Sequence, residues 1–270
     1  MIRIKDSEFE LLTDYLSSNF GINMKAKRTL IEARLNNYLH GRGFECYSSY
    51  LNDVFEDRSG EEASQLINRL STNYSYFMRE PEQLGFFMSE VLPRLISSIP
   101  DKDLRIWSAG CSTGEEPYTL AMIINDVLCE AGALWDKKIL ATDISRKALQ
   151  GAALGIYGAE ALERLPEKWV KRYFKKVGDA YHISAALKKE IVLRRFNLND
   201  SVYPFRKPFH AIFCRNVMIY FGKEEKRRLI KKLYAALAKG GYLFLGQSET
   251  LDRAESGFAF IRPSVFQKQE

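Results

Sequence analysis

Beyond Pro100 the chain alternates short apolar runs with longer stretches of helical spacing, a rhythm that few folds accept. Leu104 to Ala109 is followed by Pro117 to Cys129, and Lys138 to Ala141 by Arg146 to Leu154. Farther on, Ala211 to Cys214 and Tyr242 to Leu245 read as buried strands flanking a helix from Lys223 to Ala238, with Gly240-Gly241 as its stop. Strands that are apolar in unbroken runs are buried on both faces, so the alternation predicts a mostly parallel sheet covered by helices on both sides. One segment departs from the rhythm. Tyr173 to Val177 and Tyr181 to Ser184 read as two strands about the Gly178-Asp179-Ala180 turn, leading to a third near Ile191 to Phe196. A small antiparallel insertion at about 172–196 is therefore expected.

The chain before Pro100 is patterned differently. From Ser7 to Leu70 apolar residues recur at helical spacing, as in Phe9, Leu12, Leu16 and Phe20, or Leu30, Ile31, Leu35, Tyr38 and Leu39, or Leu66, Ile67 and Leu70. Breaks fall at Asn19-Phe20-Gly21, Gly41-Arg42-Gly43 and Ser59-Gly60. The expected organisation is an N-terminal helical domain and linker over 1–72 and an α/β domain over 73–270, and 270 residues suffice for both. With 46% hydrophobic and 27% charged residues, the composition excludes disordered and fibrous classes.

Cys46, Cys111, Cys129 and Cys214 are scattered, with no Cys-x-x-Cys pair or nearby His cluster, which argues against a disulfide framework or a zinc site. No apolar run approaches the length of about 18 residues that spans a bilayer, and the mixed Met1 to Asp6 start resembles no signal peptide, so a cytoplasmic protein is expected. The net charge of +6, from 40 basic and 34 acidic residues, is modest. Its distribution says more, because Lys25, Lys27, Arg28, Arg34 and Arg42 share one short stretch with Glu32 as the only acid. Such a run is either a solvated helix face or a docking surface for an acidic partner.

The chemistry concentrates in Ile106-Trp107-Ser108-Ala109-Gly110-Cys111-Ser112-Thr113-Gly114-Glu115-Glu116-Pro117-Tyr118, a buried strand running through small residues into a helix. In open α/β sheets ligands sit beyond the carboxyl ends of the strands, where small residues let them approach the backbone. Neither Gly-x-Gly-x-x-Gly nor Gly-x-x-x-x-Gly-Lys-[Ser/Thr] is present, so no pyrophosphate or triphosphate cradle is written here. Glu115 and Glu116 at the helix start repel phosphate and suit a cation, such as the sulfonium and ammonium of S-adenosylmethionine. Helix-terminal acids that merely favour the dipole would look the same. The second strand ends in Ala141-Thr142-Asp143-Ile144-Ser145, where Asp143 is placed to accept both ribose hydroxyls or, alternatively, to cap the next helix.

Four motifs then resemble the CheR family of chemotaxis receptor glutamate methyltransferases over nearly the whole chain. They are Asn73-Tyr74-Ser75-Tyr76-Phe77-Met78-Arg79-Glu80, the Trp107 to Tyr118 loop, Asn197-Leu198, and Phe213-Cys214-Arg215-Asn216-Val217-Met218-Ile219-Tyr220-Phe221. The resemblance implies a Rossmann-like class I fold that binds S-adenosylmethionine and releases S-adenosylhomocysteine. It implies cofactor contacts from Asn73, Ser75, Arg79, Glu116, Asp143, Asn197, Leu198, Asn216 and Val217. Ser75 stands where the family often has Thr and keeps the hydroxyl. Arg79 and Tyr220 match the two polar side chains near the transferred methyl. Taken singly, Arg79 could instead pair with Glu80 or Glu82, and Tyr220 could be a core ring.

The implied substrate is a glutamate carboxylate on the cytoplasmic helical domain of a transmembrane chemoreceptor. A carboxyl with an ordinary pKa of about 4.3 is ionised at neutral pH, so no general base is needed and catalysis reduces to positioning. Arg79 is expected to orient that carboxylate and Tyr220 to shape the methyl channel, with Lys25, Lys27, Arg28 and Arg34 docking the receptor. No metal, nucleic acid or membrane insertion is expected, and a monomer is the default in the absence of a heptad run. Some relatives hold a receptor's terminal peptide by strand addition to the insertion. The short turn at Gly178-Asp179-Ala180 argues against tight tethering here. An RNA methyltransferase is the alternative, favoured by the basic charge and disfavoured by the lack of an Asn-Pro-Pro-[Tyr/Phe] stretch. A cofactor sensor without catalysis would lack Arg79 and Tyr220.

Overall fold

The computed structural model describes residues 2–71, 74–252 and 256–269. Four helices come first: α1 (Asp6–Phe20), α2 (Arg28–Gly41), α3 (Tyr47–Glu56) and α4 (Glu61–Leu70). Their apolar faces meet in a core of their own, with Leu12, Leu16, Ile31, Leu35, Leu39, Tyr47 and Leu66 fully buried. Two buried acids brace this layer. Glu8 accepts the Lys5 and Ser48 backbone N–H groups, each at 2.8 Å, and Glu32 accepts the Ile4 N–H at 3.0 Å. At the end of α1, Gly21 has φ +73°, and a Cβ there would lie 2.6 Å from the Phe221 ring. The glycine that stops α1 therefore also lets the layer close on the rest of the chain.

Helices α5 (Pro81–Phe86) and α6 (Leu92–Ser98), joined through a π-helical turn at Phe87–Val91, lead into the sheet. Its elements are β1 (Ile106–Ala109), α7 (Glu115–Leu128), β2 (Ile139–Asp143) and α8 (Arg146–Leu154). An insertion follows, of β3 (Ile156–Gly158), α9 (Ala159–Leu162), α10 (Glu167–Tyr173), β4 (Phe174–Val177), β5 (Ala180–Ile183) and α11 (Ala185–Lys188). The chain closes with β6 (Ile191–Arg195), β7 (Phe209–Cys214), α12 (Lys223–Ala236), β8 (Leu237–Leu245), β9 (Phe258–Arg262) and β10 (Val265–Lys268). The main sheet runs β6-β2-β1-β7-β8-β10-β9, parallel as far as β8 and antiparallel beyond. Successive strand residues serve opposite faces. Phe213 stacks on Phe244 at 4.3 Å on one face, while Trp107 packs among Phe196, Tyr203, Phe205 and Phe209 on the other.

Two expectations are corrected. The third strand of the small sheet is β3, not Ile191 to Phe196: the order is β3-β5-β4, whereas β6 pairs parallel with β2 at the register Ile139↔Ile191. Ile191, Val192 and Leu193 suit the edge of the large sheet, and the three residues of β3 are too few to show a period. The pair Gly240-Gly241 does not stop a helix. Helix α12 ends at Ala236, buried Leu237 already starts β8, and the glycines form an irregularity inside that strand. Gly240 has φ +72°, and a Cβ on Gly241 would lie 2.9 Å from the Ala238 carbonyl.

From β1 the chain moves outward through β2 to β6, then returns to the other side of β1 for β7 and β8. The direction of winding thus reverses between β1 and β7. Loops there diverge beyond the strand ends and leave a crevice, the place where such sheets bind ligands.

Candidate active site

The turn after β1 is shaped by close approach. Gly110 has φ +88°, and a Cβ on it would lie 2.4 Å from Val217 Cγ2, so the β1 and β7 loops meet only because this residue has no side chain. Gly114, at φ +99°, similarly admits Ala152. The N–H groups of Gly110 and Cys111 both donate to the Thr142 carbonyl, at 2.8 and 2.9 Å, which fixes the loop to the end of β2.

Beyond these strand ends lies a cleft of about 930 Å³ including its open mouth. Ser75, Arg79, Glu116, Asp143, Asn197, Leu198, Asn216, Val217 and Tyr220 all line it. Asn73 lies outside the described residues. The N-terminal layer contributes Phe20 and Ile22 to the same wall, which the helical pattern of that region did not signal.

The floor is acidic. Glu116 accepts the Ser108 hydroxyl at 2.7 Å and Arg215 Nη1 at 3.0 Å. Burial pushes its carboxyl above the usual range, while Arg215 and Ser108 pull it back. Asp143 accepts the backbone N–H of Ser112 on one oxygen and of Ser145 on the other, at 2.9 and 2.8 Å. Burial raises this carboxyl too, against those backbone hydrogen bonds. The alternative capping role falls to Ser145, whose Oγ accepts the Ala148 N–H at 3.0 Å. Asp143 lines the cleft, where a carboxylate oxygen can accept a hydroxyl donor. Glu115 is a correction. Its carboxylate is turned onto the Thr113 hydroxyl, at 2.8 and 2.9 Å, and only Glu116 reaches the cleft.

Beneath the floor is a network to which no role was assigned from the sequence. Arg215, whose side chain is 2% exposed, bridges Glu116 at 3.0 Å and Glu80 at 3.3 Å and also donates to the Arg79 carbonyl. Glu249, buried, accepts the backbone N–H groups of Gly246, Asn216 and Ile219 at 2.7, 2.9 and 3.2 Å. It thereby holds the turn in which Asn216 takes φ +59°. Glu80 and Arg215 stand inside two of the quoted motifs, which was their signal; Glu249 had none. Asn216 Oδ1 is buried with no hydrogen-bond partner among the described residues, while its Nδ2 donates to Glu80 at 3.3 Å. An unsatisfied acceptor and two carboxylates in one cleft fit a ligand bearing an ammonium, a sulfonium and ribose hydroxyls. Among the described residues no group of three or more His, Cys, Asp or Glu could hold a metal ion.

Asn197, which lines the cleft, also has partners in the protein. Its Nδ2 donates to the Asn19 carbonyl at 2.8 Å and its Oδ1 accepts the Asn199 N–H at 3.0 Å, so the side chain ties the end of α1 to the cleft wall. Nearby, the Asn23 N–H donates to the Tyr220 carbonyl at 2.7 Å, and Ile22 bridges Phe221.

The rim is basic. Arg79 Nη1 donates to the Tyr74 carbonyl at 2.9 Å, and the ion pair with Glu80 that would have explained it away belongs to Arg215. The Lys27 ammonium lies 5.7 Å from the centre of the Tyr220 ring. The four basic residues expected to dock a partner do not form one helix face, since Lys25 and Lys27 precede α2. Arg28 is engaged internally, donating to the Ile4 carbonyl at 2.8 Å and to Asp6 at 2.6 Å over the Phe9 ring. Arg34 donates to the Leu70 carbonyl, and Lys25 pairs with Asp14 at 3.0 Å.

Comparison with known proteins agrees with this geometry. Residues 73–266 match the SAM-binding domain of CheR methyltransferases and residues 7–71 match their all-alpha domain. The chemotaxis protein methyltransferase of Borreliella burgdorferi is 37% identical over 272 residues, covering 99% of this chain and 96% of that protein. Chemotaxis protein methyltransferase 1 of Pseudomonas aeruginosa is 33% identical, covering 96% of each chain. The chemotaxis protein methyltransferase of Escherichia coli is 30% identical, covering 98% of this chain and 92% of that one.

Proposed function

The chain belongs to the CheR methyltransferase family, with a SAM-binding methyltransferase domain, and on that premise we propose that it methylates glutamate carboxylates of chemoreceptors. The products are a glutamate methyl ester and S-adenosylhomocysteine, and the setting is chemotactic adaptation. The partner is the receptor's cytoplasmic helical region, and the enzyme acts as a cytoplasmic monomer. Among the described residues no helix is long and apolar enough to cross a membrane.

The observation that carries this proposal is the layering of charge in the cleft, with Glu116 and Asp143 on the floor and Arg79 and Lys27 at the mouth. A cationic cofactor is attracted inward while an anionic substrate is met at the rim. When bound, S-adenosylmethionine supplies an electrophilic methyl, which passes to a carboxylate oxygen as its bond to sulfur breaks. Asp143 holds the ribose, and Glu116 with Asn216 holds the cationic end. Gly110 and Val217 pack the loops that carry these groups. Arg79 orients the incoming carboxylate, and Tyr220 walls the passage between the substrate and the floor. No proton has to be removed, because the nucleophile is ionised at neutral pH. Excluding water disfavours separated opposite charges and so favours their partial neutralisation during transfer.

The test is transfer from methyl-labelled S-adenosylmethionine to membrane and RNA fractions, followed by mild alkali. Label in a membrane protein band that alkali releases as methanol is the expected result. Alkali-stable label in RNA would keep the fold and replace the substrate. Arg79→Ala is expected to lower methyl transfer about tenfold to a hundredfold, as for loss of a hydrogen bond between charged groups. An unchanged transfer rate would remove Arg79 from its role.

A further inference from the structure

The chain after β6 passes the cleft in a turn that is held from two sides. It starts against Asp143, whose carbonyl accepts the Phe196 N–H at 3.0 Å, and Asn197 and Leu198 then line the cleft. One side of the turn is tied to the end of α1. Asn197 Nδ2 donates to the Asn19 carbonyl and Asn199 Nδ2 to the Ser18 carbonyl, both at 2.8 Å. Carbonyls in the last turn of a helix lack partners within it, and these two asparagines supply them.

The other side is held by Lys232 of α12, which lines a separate groove with Val202, Tyr203 and Phe205. Its neighbour Lys231 is exposed, whereas Lys232 is half-buried. The Lys232 ammonium donates to the carbonyls of Leu198, Asn199 and Asp200, at 3.2, 3.1 and 2.7 Å. An ammonium has three N–H donors and no acceptor, so these carbonyls use all of them. Carbonyl dipoles that converge on one point repel one another unless a cation stands there, and the cation therefore decides whether the turn closes. Tyr203 supports the same place, its hydroxyl donating to the Leu198 carbonyl at 2.8 Å and its ring centre lying 5.3 Å from the ammonium. Lys268 on β10 makes the same kind of contact elsewhere. It donates to the Tyr234 and Leu237 carbonyls at 2.9 and 2.7 Å, at the end of α12.

We propose that Lys232 is a positioning residue for the cofactor, holding the 198–200 turn closed so that Asn197 and Leu198 form the cleft wall beside Asp143. This rests on the reading of the cleft as the S-adenosylmethionine site and adds to it a residue that touches no ligand. The sign of the effect separates position from charge. Deleting a cation would by electrostatics alone favour the positively charged S-adenosylmethionine, whereas an unfastened wall weakens every ligand that uses it.

The test is calorimetric titration of the full chain with S-adenosylmethionine and with S-adenosylhomocysteine, alongside methylation of a receptor cytoplasmic fragment. Lys232→Met should raise both dissociation constants about threefold to tenfold, and KM for S-adenosylmethionine by the same factor, with kcat and the KM for receptor near wild type. Lys268→Met should lower the unfolding temperature and leave both dissociation constants unchanged. Lys232→Arg keeps the charge but spreads its donors over a plane, so it should show a smaller loss of the same kind, and it supplies the reading if the methionine variant does not fold. Unchanged affinities in the Lys232 variants, equal losses in Lys232→Met and Lys268→Met, a loss confined to kcat, or tighter S-adenosylmethionine binding with S-adenosylhomocysteine unaffected overturns the assignment. A wild-type chain that binds neither ligand overturns the cofactor reading of the cleft, and this assignment with it.

Discussion

The floor of the cleft and its rim carry opposite charge, and they hold it by opposite means. On the floor the charged groups are largely buried and paired: Glu116 is hydrogen-bonded to Arg215 and Ser108, Asp143 to backbone N–H groups, and Arg215 is in an ion pair with Glu80. At the rim Lys27 and Arg79 lie over aromatic rings, and Arg79 adds only the Tyr74 carbonyl. Buried charge is costly unless fully paired, and once paired it is fixed in place. Cations that rest on rings at a solvent-facing edge are weakly held and can change partners. A small, invariant cofactor calls for the first arrangement, and a protein segment that must arrive and leave calls for the second.

The largest effect should come from breaking the floor. Arg215→Ala leaves Glu80 and Glu116 buried without their cation, and removing one partner of a buried pair costs about 3–5 kcal/mol. Denaturant unfolding should show that loss; a change below about 1 kcal/mol would mean that the network does not brace the floor. Gly110→Ala comes next. It forces a residue with a side chain to φ +88° and into Val217, at about 2–4 kcal/mol. Adding Val217→Ala should recover the packing part and leave the conformational part, so full recovery would show that backbone conformation is not the constraint.

A third prediction concerns protons. Burial raises Glu116 and Asp143 above their ordinary values of 4.5 and 3.8, so the folded chain holds those protons more tightly than the unfolded one. The stability these groups contribute is complete below that range and is lost as pH rises through their raised pKa values. A bound cation favours the ionised forms, so affinity for S-adenosylmethionine should rise over the same window with proton release. Calorimetry in buffers of different ionisation enthalpy measures that release. Asp143→Asn should bind the cofactor about tenfold to a hundredfold more weakly and flatten the pH dependence. A wild-type affinity independent of pH would place the cation away from the carboxylates. The smallest effect belongs to the rim. Lys27→Glu should leave stability and cofactor affinity nearly unchanged and weaken receptor methylation severalfold, more at low salt. Equal losses at low and high salt would argue against electrostatic docking.

Much of the floor could be read in the sequence because its parts are local. The strand, small-residue loop and helix from Ile106 to Tyr118 are contiguous, and Asp143 follows its strand directly. The separation of Glu115 from Glu116 could not be read. Adjacent helical residues point about a quarter-turn apart, and which of them meets the cleft depends on the β7 loop opposite. The basic stretch was legible as a run of charge and not as a surface. Arg28 and Arg34 satisfy carbonyls 24 and 36 residues away, which no periodicity encodes. The three-residue β3 was similarly silent, and β6 carried a strand signal without saying which sheet would take it.

By itself, then, the sequence determined the elements, the reversal of pattern between a helical layer and an alternating sheet, and the residue types in the motif loops. Apolar period and turn chemistry act over a few residues and need no distant partner. Only the tertiary structure decided that Arg215 joins Glu116 to Glu80, that Asn197 secures α1, and that Phe20 and Ile22 wall the cleft. The first two outcomes depend on which polar groups find each other across 99 to 178 residues of chain, and no local pattern of sequence specifies such a pairing.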